Sequence, residues 1–109
     1  MSSAVGSGQC VALVQQWAGA PSTATWRAGI KVKGNASIIT RGTVIATMVD
    51  GHYPNHAHGN HAAIFLSEDA NGIRVIDQWL GQAPHERVIH FRGGQGSASN
   101  DGDKFYVVE

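Results

Sequence analysis

A single segment of this chain carries a helical repeat of apolar residues, and it comes first. Across residues 8–19 the apolar side chains of Cys10, Val11, Leu13, Val14, Trp17 and Ala18 fall close to an i, i+3, i+4, i+7 pattern. Ser7 stands where an N-cap is expected, and Gly19 followed by Pro21 is a stop signal. Everything beyond reads as strand. Residues 42–49 are a short β-branched run, His61–Leu66 a second strand and Ile73–Leu80 a third. Between the last two, residues 68–72 have hairpin chemistry, with Asn71-Gly72 suited to positive φ. Glu86–Phe91 and Lys104–Val108 add two strands, and residues 93–103 read as a long Gly/Ser/Asn/Asp-rich loop free to move. One helix ahead of an antiparallel sheet of about five strands is an α+β arrangement. With 109 residues and 42% apolar side chains, the whole chain, 1–109, reads as one domain with one core.

Composition removes several classes of function. Eight Lys and Arg balance eight Asp and Glu, so the basic footprint of a nucleic-acid binder is absent. The continuous apolar runs are too short to span a membrane. No charged and then apolar leader of the Sec type opens the chain, so the expectation is synthesis in the cytoplasm. Cys10 is the one cysteine, which rules out a disulfide within the chain.

Cys10, His61 and Asp77 together are the candidate chemistry. Thiol-based hydrolysis needs a thiolate, a base that forms it, and a group that orients the base. A cysteine in the first turn of a helix has its thiolate favoured by unpaired N–H groups and the macrodipole, and those N–H groups can face an oxyanion. If Ser67 pairs with Ile73, then Phe65 pairs with Val75, Ala63 with Asp77 and His61 with Trp79. In that register His61 and Asp77 are diagonal neighbours on one face, roughly 7–8 Å apart along the backbone. A slip of one residue would put them on opposite faces. Asp77 also interrupts an apolar face formed by Ile73, Val75 and Trp79, and a carboxylate there needs a partner. Gln9 and Gln78 are possible amide donors nearby. Gln9 equally reads as a solvent-facing helix start, and Gln78 alternates away from Asp77 onto the other face.

That order of residues is familiar. Gly8-Gln9-Cys10 opening a helix resembles the entry of CHAP-type amidases, and Asn60-His61-Ala62-Ala63-Ile64-Phe65-Leu66 resembles the histidine strand of CHAP and NlpC-type cysteine peptidases. More closely, residues 6–14 (Gly-Ser-Gly-Gln-Cys-Val-Ala-Leu-Val), 60–64 and 75–82 (Val-Ile-Asp-Gln-Trp-Leu-Gly-Gln) resemble the BPSL0067 family. That family is similar to small amidase effectors delivered by type VI secretion systems. The resemblance runs from about Gly6 to Phe91. It implies a papain-like peptidoglycan amidase with Cys10 as nucleophile, His61 as general base and Asp77 orienting the imidazole. The implied substrate is an amide bond of the cell-wall stem peptide or its cross-link. An immunity protein is the implied partner, and the periplasm of a neighbouring cell the implied place of action. No cofactor or metal is expected.

Other readings compete for the same residues. His52, His56, His58 and His61 crowd a segment that could bind zinc or another imidazole-seeking metal, although Gly51, Pro54, Asn55, Gly59 and Asn60 make it a loop with no acidic or thiol ligand. A non-catalytic cell-wall-binding module is the second alternative. Trp17 reads as core on the helix face. Trp79 reads as core beside the site or as a substrate contact, and Trp26 could line a groove. Arg41, Arg74, Arg87 and Arg92 invite a role in binding acidic stem peptides, although most read as ordinary surface residues.

Overall fold

The structure, a computed structural model, describes residues 6, 9–53, 60–79, 82–96 and 98–109. One α-helix, α1 (Cys10–Ala18), precedes six strands: β1 (Ala28–Lys31), β2 (Val44–Thr47), β3 (Ala62–Glu68), β4 (Gly72–Trp79), β5 (Gln82–His90) and β6 (Phe105–Val108). They form one antiparallel sheet in the order β1-β6-β2-β3-β4-β5, with α1 packed on β3 and β4. The α+β class expected from the sequence is the class observed, with one strand more than expected. The extra strand, β1, reads Ala-Gly-Ile-Lys, and it forms by pairing with β6 through an irregular register. Four residues with a glycine among them carry no period of their own.

Burial explains the centre of the sheet. Residues 62–66 of β3 are all buried, because the strand lies between β2 and β4 with apolar layers on both faces. On the helix side, Ala62 and Ile64 pack with Leu13, Val14, Trp26, Ala46 and Tyr53. On the other face, Ala63 and Phe65 join Val32, Ile45, Ile73, Val75, Ile89 and Phe105. A fully buried aromatic such as Phe105 gains on the order of 2–3 kcal/mol from leaving water alone.

Local signals held in some places and failed in others. Gly19 does end α1, in the left-handed region at φ 70°, with its N–H on the Val14 carbonyl. The helix begins at Cys10 rather than residue 8. Its N-cap is Gln9, whose side chain makes no cap hydrogen bond, and Ser7 lies outside the described residues. Neither Asn71 nor Gly72 takes positive φ. The turn is built instead by Asp69, whose Oδ1 accepts from the N–H groups of Asn71 and Gly72 at 2.7 and 3.1 Å. Gly72 is needed for closeness, since a Cβ there would collide with the Ile89 carbonyl of β5. β5 starts four residues earlier than expected, at Gln82, and includes Pro84; as the sheet's edge strand it tolerates a residue with no N–H.

The segment after β5 is no free loop. Asp101, nearly fully buried, accepts from the N–H groups of Arg92, Gly94 and Asp103 at 2.8, 2.6 and 2.9 Å. Asp103 accepts from Gly93 N–H at 2.6 Å and pairs with Lys33 at 2.7 Å. The same polar residues that argue for a loop are what bind this one down.

Candidate active site

Cys10 is the first residue of α1. Its position is set by Gln9, which is extended at φ −81°, ψ 158° and offers its carbonyl to two donors. One is Ala12 N–H at 3.1 Å, inside the helix; the other is Gln78 Nε2 at 2.7 Å, from β4. Gln78 is thus on the face away from Asp77, as alternation requires, and fully buried. It fastens the start of the helix to the sheet. Gln9 itself is exposed beside Cys10.

His61 precedes β3. Its N–H donates to Thr47 Oγ1 at 2.9 Å and its carbonyl accepts from Thr47 N–H at 2.9 Å, which fixes it to the end of β2. The register between β3 and β4 decides where the ring goes. Ile64 pairs with Ile76 and Phe65 with Val75, as the expected register requires at this end. A shift between Phe65 and Ser67 then gives Ser67↔Arg74 in place of the expected Ser67↔Ile73. The irregularity lies toward the turn, so His61 and Asp77 keep a common face. His61 Nε2 lies 2.6 Å from Asp77 Oδ2. Cys10 and His61 are near enough for each to shift the other's titration, and Nε2 being on Asp77 leaves Nδ1 as the ring nitrogen for the thiol.

The surroundings favour charge separation. Burial pushes the Cys10 thiol up, but the hydrogen bond and charge of His61, the Ala62 main chain and Tyr53 outweigh it and bring the thiol below its ordinary value. Burial works against the imidazolium too. The hydrogen bonds of His61 to Asp77 and Cys10, with the charges of both, nevertheless lift the imidazole to about 9. Asp77 is fully buried, which favours its neutral form, yet His61 and then Arg87 hold it below the usual carboxylate range. Thiolate, imidazolium and carboxylate therefore form a consistent set.

Several residues of the site were not readable beforehand. Tyr53 is buried, with its hydroxyl 3.9 Å from Cys10 Sγ and accepting from Asn60 Nδ2 at 3.1 Å. Burial, and then the Cys10 charge, push its phenol well up, so it remains a donor to the thiolate. Arg87, expected at the surface, donates from Nε to both oxygens of Asp77 at 3.2 and 2.9 Å and pairs through Nη2 with Oδ2 at 2.8 Å. His85 Nε2 stands 3.7 Å from Asp77 Oδ1. The one available signal was Asp77 itself, an acid on an apolar face in need of partners.

Two of the three tryptophans reverse their expected places, and the third takes one of the two expected for it. Trp17, expected in the core, is 46% exposed. Trp26, expected on a groove, is fully buried, with Nε1 donating to the Pro21 carbonyl at 3.1 Å. Trp79, expected as core or as a substrate contact, is 42% exposed and lies beside the site, its ring edge-on to His61 and His85 at centroid distances of 6.3 and 5.0 Å. Of the histidine-rich segment, His52 is exposed and bridges Val49 through the backbone, while His56 and His58 lie outside the described residues. Among the described residues no group of three or more His, Cys, Asp or Glu is arranged to hold a metal ion.

A helix that starts with cysteine, laid on an antiparallel sheet whose adjoining strands bring up histidine and aspartate, is the α+β architecture of papain-like hydrolases. Comparison with known proteins agrees. The family described as domesticated amidase effector 2 matches residues 2–108. A type VI secretion amidase effector 2 protein of Salmonella typhi is 40% identical over 113 residues, covering 93% of this chain and 84% of its own. A domesticated amidase effector 2 of Ixodes scapularis is 38% identical over 104 residues, covering 93% of this chain and 70% of its own. A solved structure of a type 6 secretion amidase effector 2 superposes with a TM-score of 0.86 at 39% identity, over 98% of this chain and 85% of that one. The chain belongs to the amidase effector 2 family, and it is an amidase rather than a binding module.

Proposed function

We propose that this chain is a peptidoglycan amidase effector that works through Cys10, His61 and Asp77, with residues 1–109 acting as one catalytic domain. The supporting observation is the 2.6 Å hydrogen bond of His61 to Asp77, with Cys10 and His61 near enough to shift each other's titration, in a chain of the amidase effector family. The Cys10 thiolate attacks the carbonyl carbon of the substrate amide. N–H groups at the start of α1, that of Cys10 and a backbone neighbour, stabilise the oxyanion that develops. Cationic His61 gives its proton to the leaving amine, and the C–N bond breaks to leave a thioester on Cys10. Neutral His61 then takes a proton from water, the hydroxide oxygen bonds to the acyl carbon, and the released Cys10 thiolate pairs again with imidazolium. Asp77 holds the ring so that Nδ1 faces sulfur in both half-reactions. Exposed Trp79 and Gln9 stand beside this line and are the side chains proposed to meet the substrate.

The substrate class is an amide bond of the stem peptide or its cross-link. Relatives named as type VI effectors support delivery into a target cell and pairing with an immunity protein that blocks the site. The test is digestion of Gram-negative peptidoglycan by the native chain and by Cys10→Ala, with mass spectrometry of the fragments. Loss of particular muropeptides with the native chain alone is expected. Equal digestion by both would remove Cys10 from the mechanism.

A further inference from the structure

The carboxylate of Asp77 has more partners than a triad uses. The oxygen that meets His61 at 2.6 Å also accepts from Arg87 Nε and Nη2, and Nε reaches the second oxygen as well. A carboxylate tied only to an imidazole can turn about its Cβ–Cγ bond. A guanidinium fork across it removes that freedom. The pairing of β4 with β5 builds the contact: Val75 faces Arg87 and Asp77 faces His85, so Arg87 is the diagonal neighbour of Asp77 on the same face. Arg87 is itself held from outside, its guanidinium carbon 5.0 Å from the centre of the Trp79 ring, within cation–π reach. Trp79 thus covers the pair with an exposed ring.

We propose that Arg87, stacked under Trp79, is a positioning residue of the amidase: it clamps Asp77 from β5 so that the carboxylate meets His61 in one orientation. The inference rests on the mechanism proposed above. The charged or titratable groups facing this cluster are Cys10 from α1, Tyr53 from the segment after β2, His61 before β3, and His85 from β5. Arg87 adds a positive charge to that set, so removing it makes Cys10 and His61 bind protons more tightly. Lysine in its place keeps the charge but presents a point donor where the fork made several contacts.

Cys10 is the chain's one cysteine, so iodoacetamide reports on this site alone and needs no substrate. In Arg87→Gln the midpoint of the alkylation rate against pH is expected to rise by about one unit. In Arg87→Lys the midpoint stays, while kcat on soluble cross-linked muropeptides falls about tenfold with KM within about twofold, as expected for lost orientation. Thermal melts establish that each variant is folded. A folded Arg87→Gln with the native midpoint overturns the proposal, and so does Arg87→Lys with native kcat; if the Gln variant does not fold, the Lys variant decides. Should the native chain leave muropeptides intact, the amidase mechanism fails, and the alkylation profiles still decide whether Arg87 acts on the Cys10–His61 pair.

Discussion

Among the described residues, two aspartates are taken almost completely out of water, Asp77 and Asp101, and they are used in opposite ways. Asp101 accepts from three main-chain N–H groups, those of Arg92, Gly94 and Asp103. Asp77 is met by His61, Arg87 and His85. Each carboxylate meets the cost of burial with hydrogen bonds. The partners of Asp101 are backbone groups that hold no exchangeable charge, so its bonds shape the chain between β5 and β6. The partners of Asp77 include the imidazole of His61, which can gain or lose a proton, and the fixed charge of Arg87, so its bonds reach chemistry. A buried acid is therefore informative about function through the identity of its donors, more than through its burial.

That contrast can be broken first by removing each carboxylate. Asp77→Asn is expected to lower amide hydrolysis by about 10²- to 10⁴-fold, since the imidazole loses the group that orients it and stabilises its charge. Turnover of muropeptides measures this. Asp101→Ala is expected to leave hydrolysis by the folded fraction within about twofold while costing about 2–4 kcal/mol in urea unfolding, from lost hydrogen bonds to a charged acceptor. A large loss of turnover in folded Asp101→Ala would erase the distinction.

The pH dependence of stability sharpens it. His61 is raised to about 9, so its contribution is complete below about 6.5 and is lost as pH rises through about 9. Cys10 is lowered, so its contribution is complete above its free value of about 8.5 and is lost as pH falls through the lowered one. From the lowered Cys10 value, or about 6.5 if that is higher, up to about 8.5 the two slopes cancel, because folded and unfolded chains then hold the same number of protons on the pair. Urea midpoints of the native chain should be level with pH in that window from this source. In Cys10→Ala His61 is still raised by Asp77 with no thiolate to oppose it, and the midpoint should fall as pH rises. Parallel curves for the two proteins would speak against a thiolate–imidazolium pair.

The smallest effect concerns the far side of β4. Gln78→Met removes the donor to the Gln9 carbonyl, which keeps Ala12 N–H. A loss of about 1 kcal/mol is expected, with a few-fold fall in the rate of Cys10 alkylation. An unchanged alkylation rate would show that the helix start is positioned by its own backbone.

Much of this could be read in the chain because it depends on neighbours in sequence. The helical repeat ending at Gly19, the apolar run of β3, and the alternation that sets Asp77 and Gln78 on opposite faces of β4 are local patterns, and they already bring Cys10, His61 and Asp77 into consideration. What escaped depends on partners distant along the chain. β1 exists because β6 pairs with it. Trp17 and Trp26 exchange their expected places because burial is decided by which layer covers a ring, and no local period encodes that. Arg87 and Tyr53 join the site because strand register and the path after β2 bring them there. Periodicity specifies which face a residue takes, since it follows from backbone geometry; tertiary packing alone decides what stands opposite that face, and here it is the opposing groups that separate a structural carboxylate from one placed for chemistry.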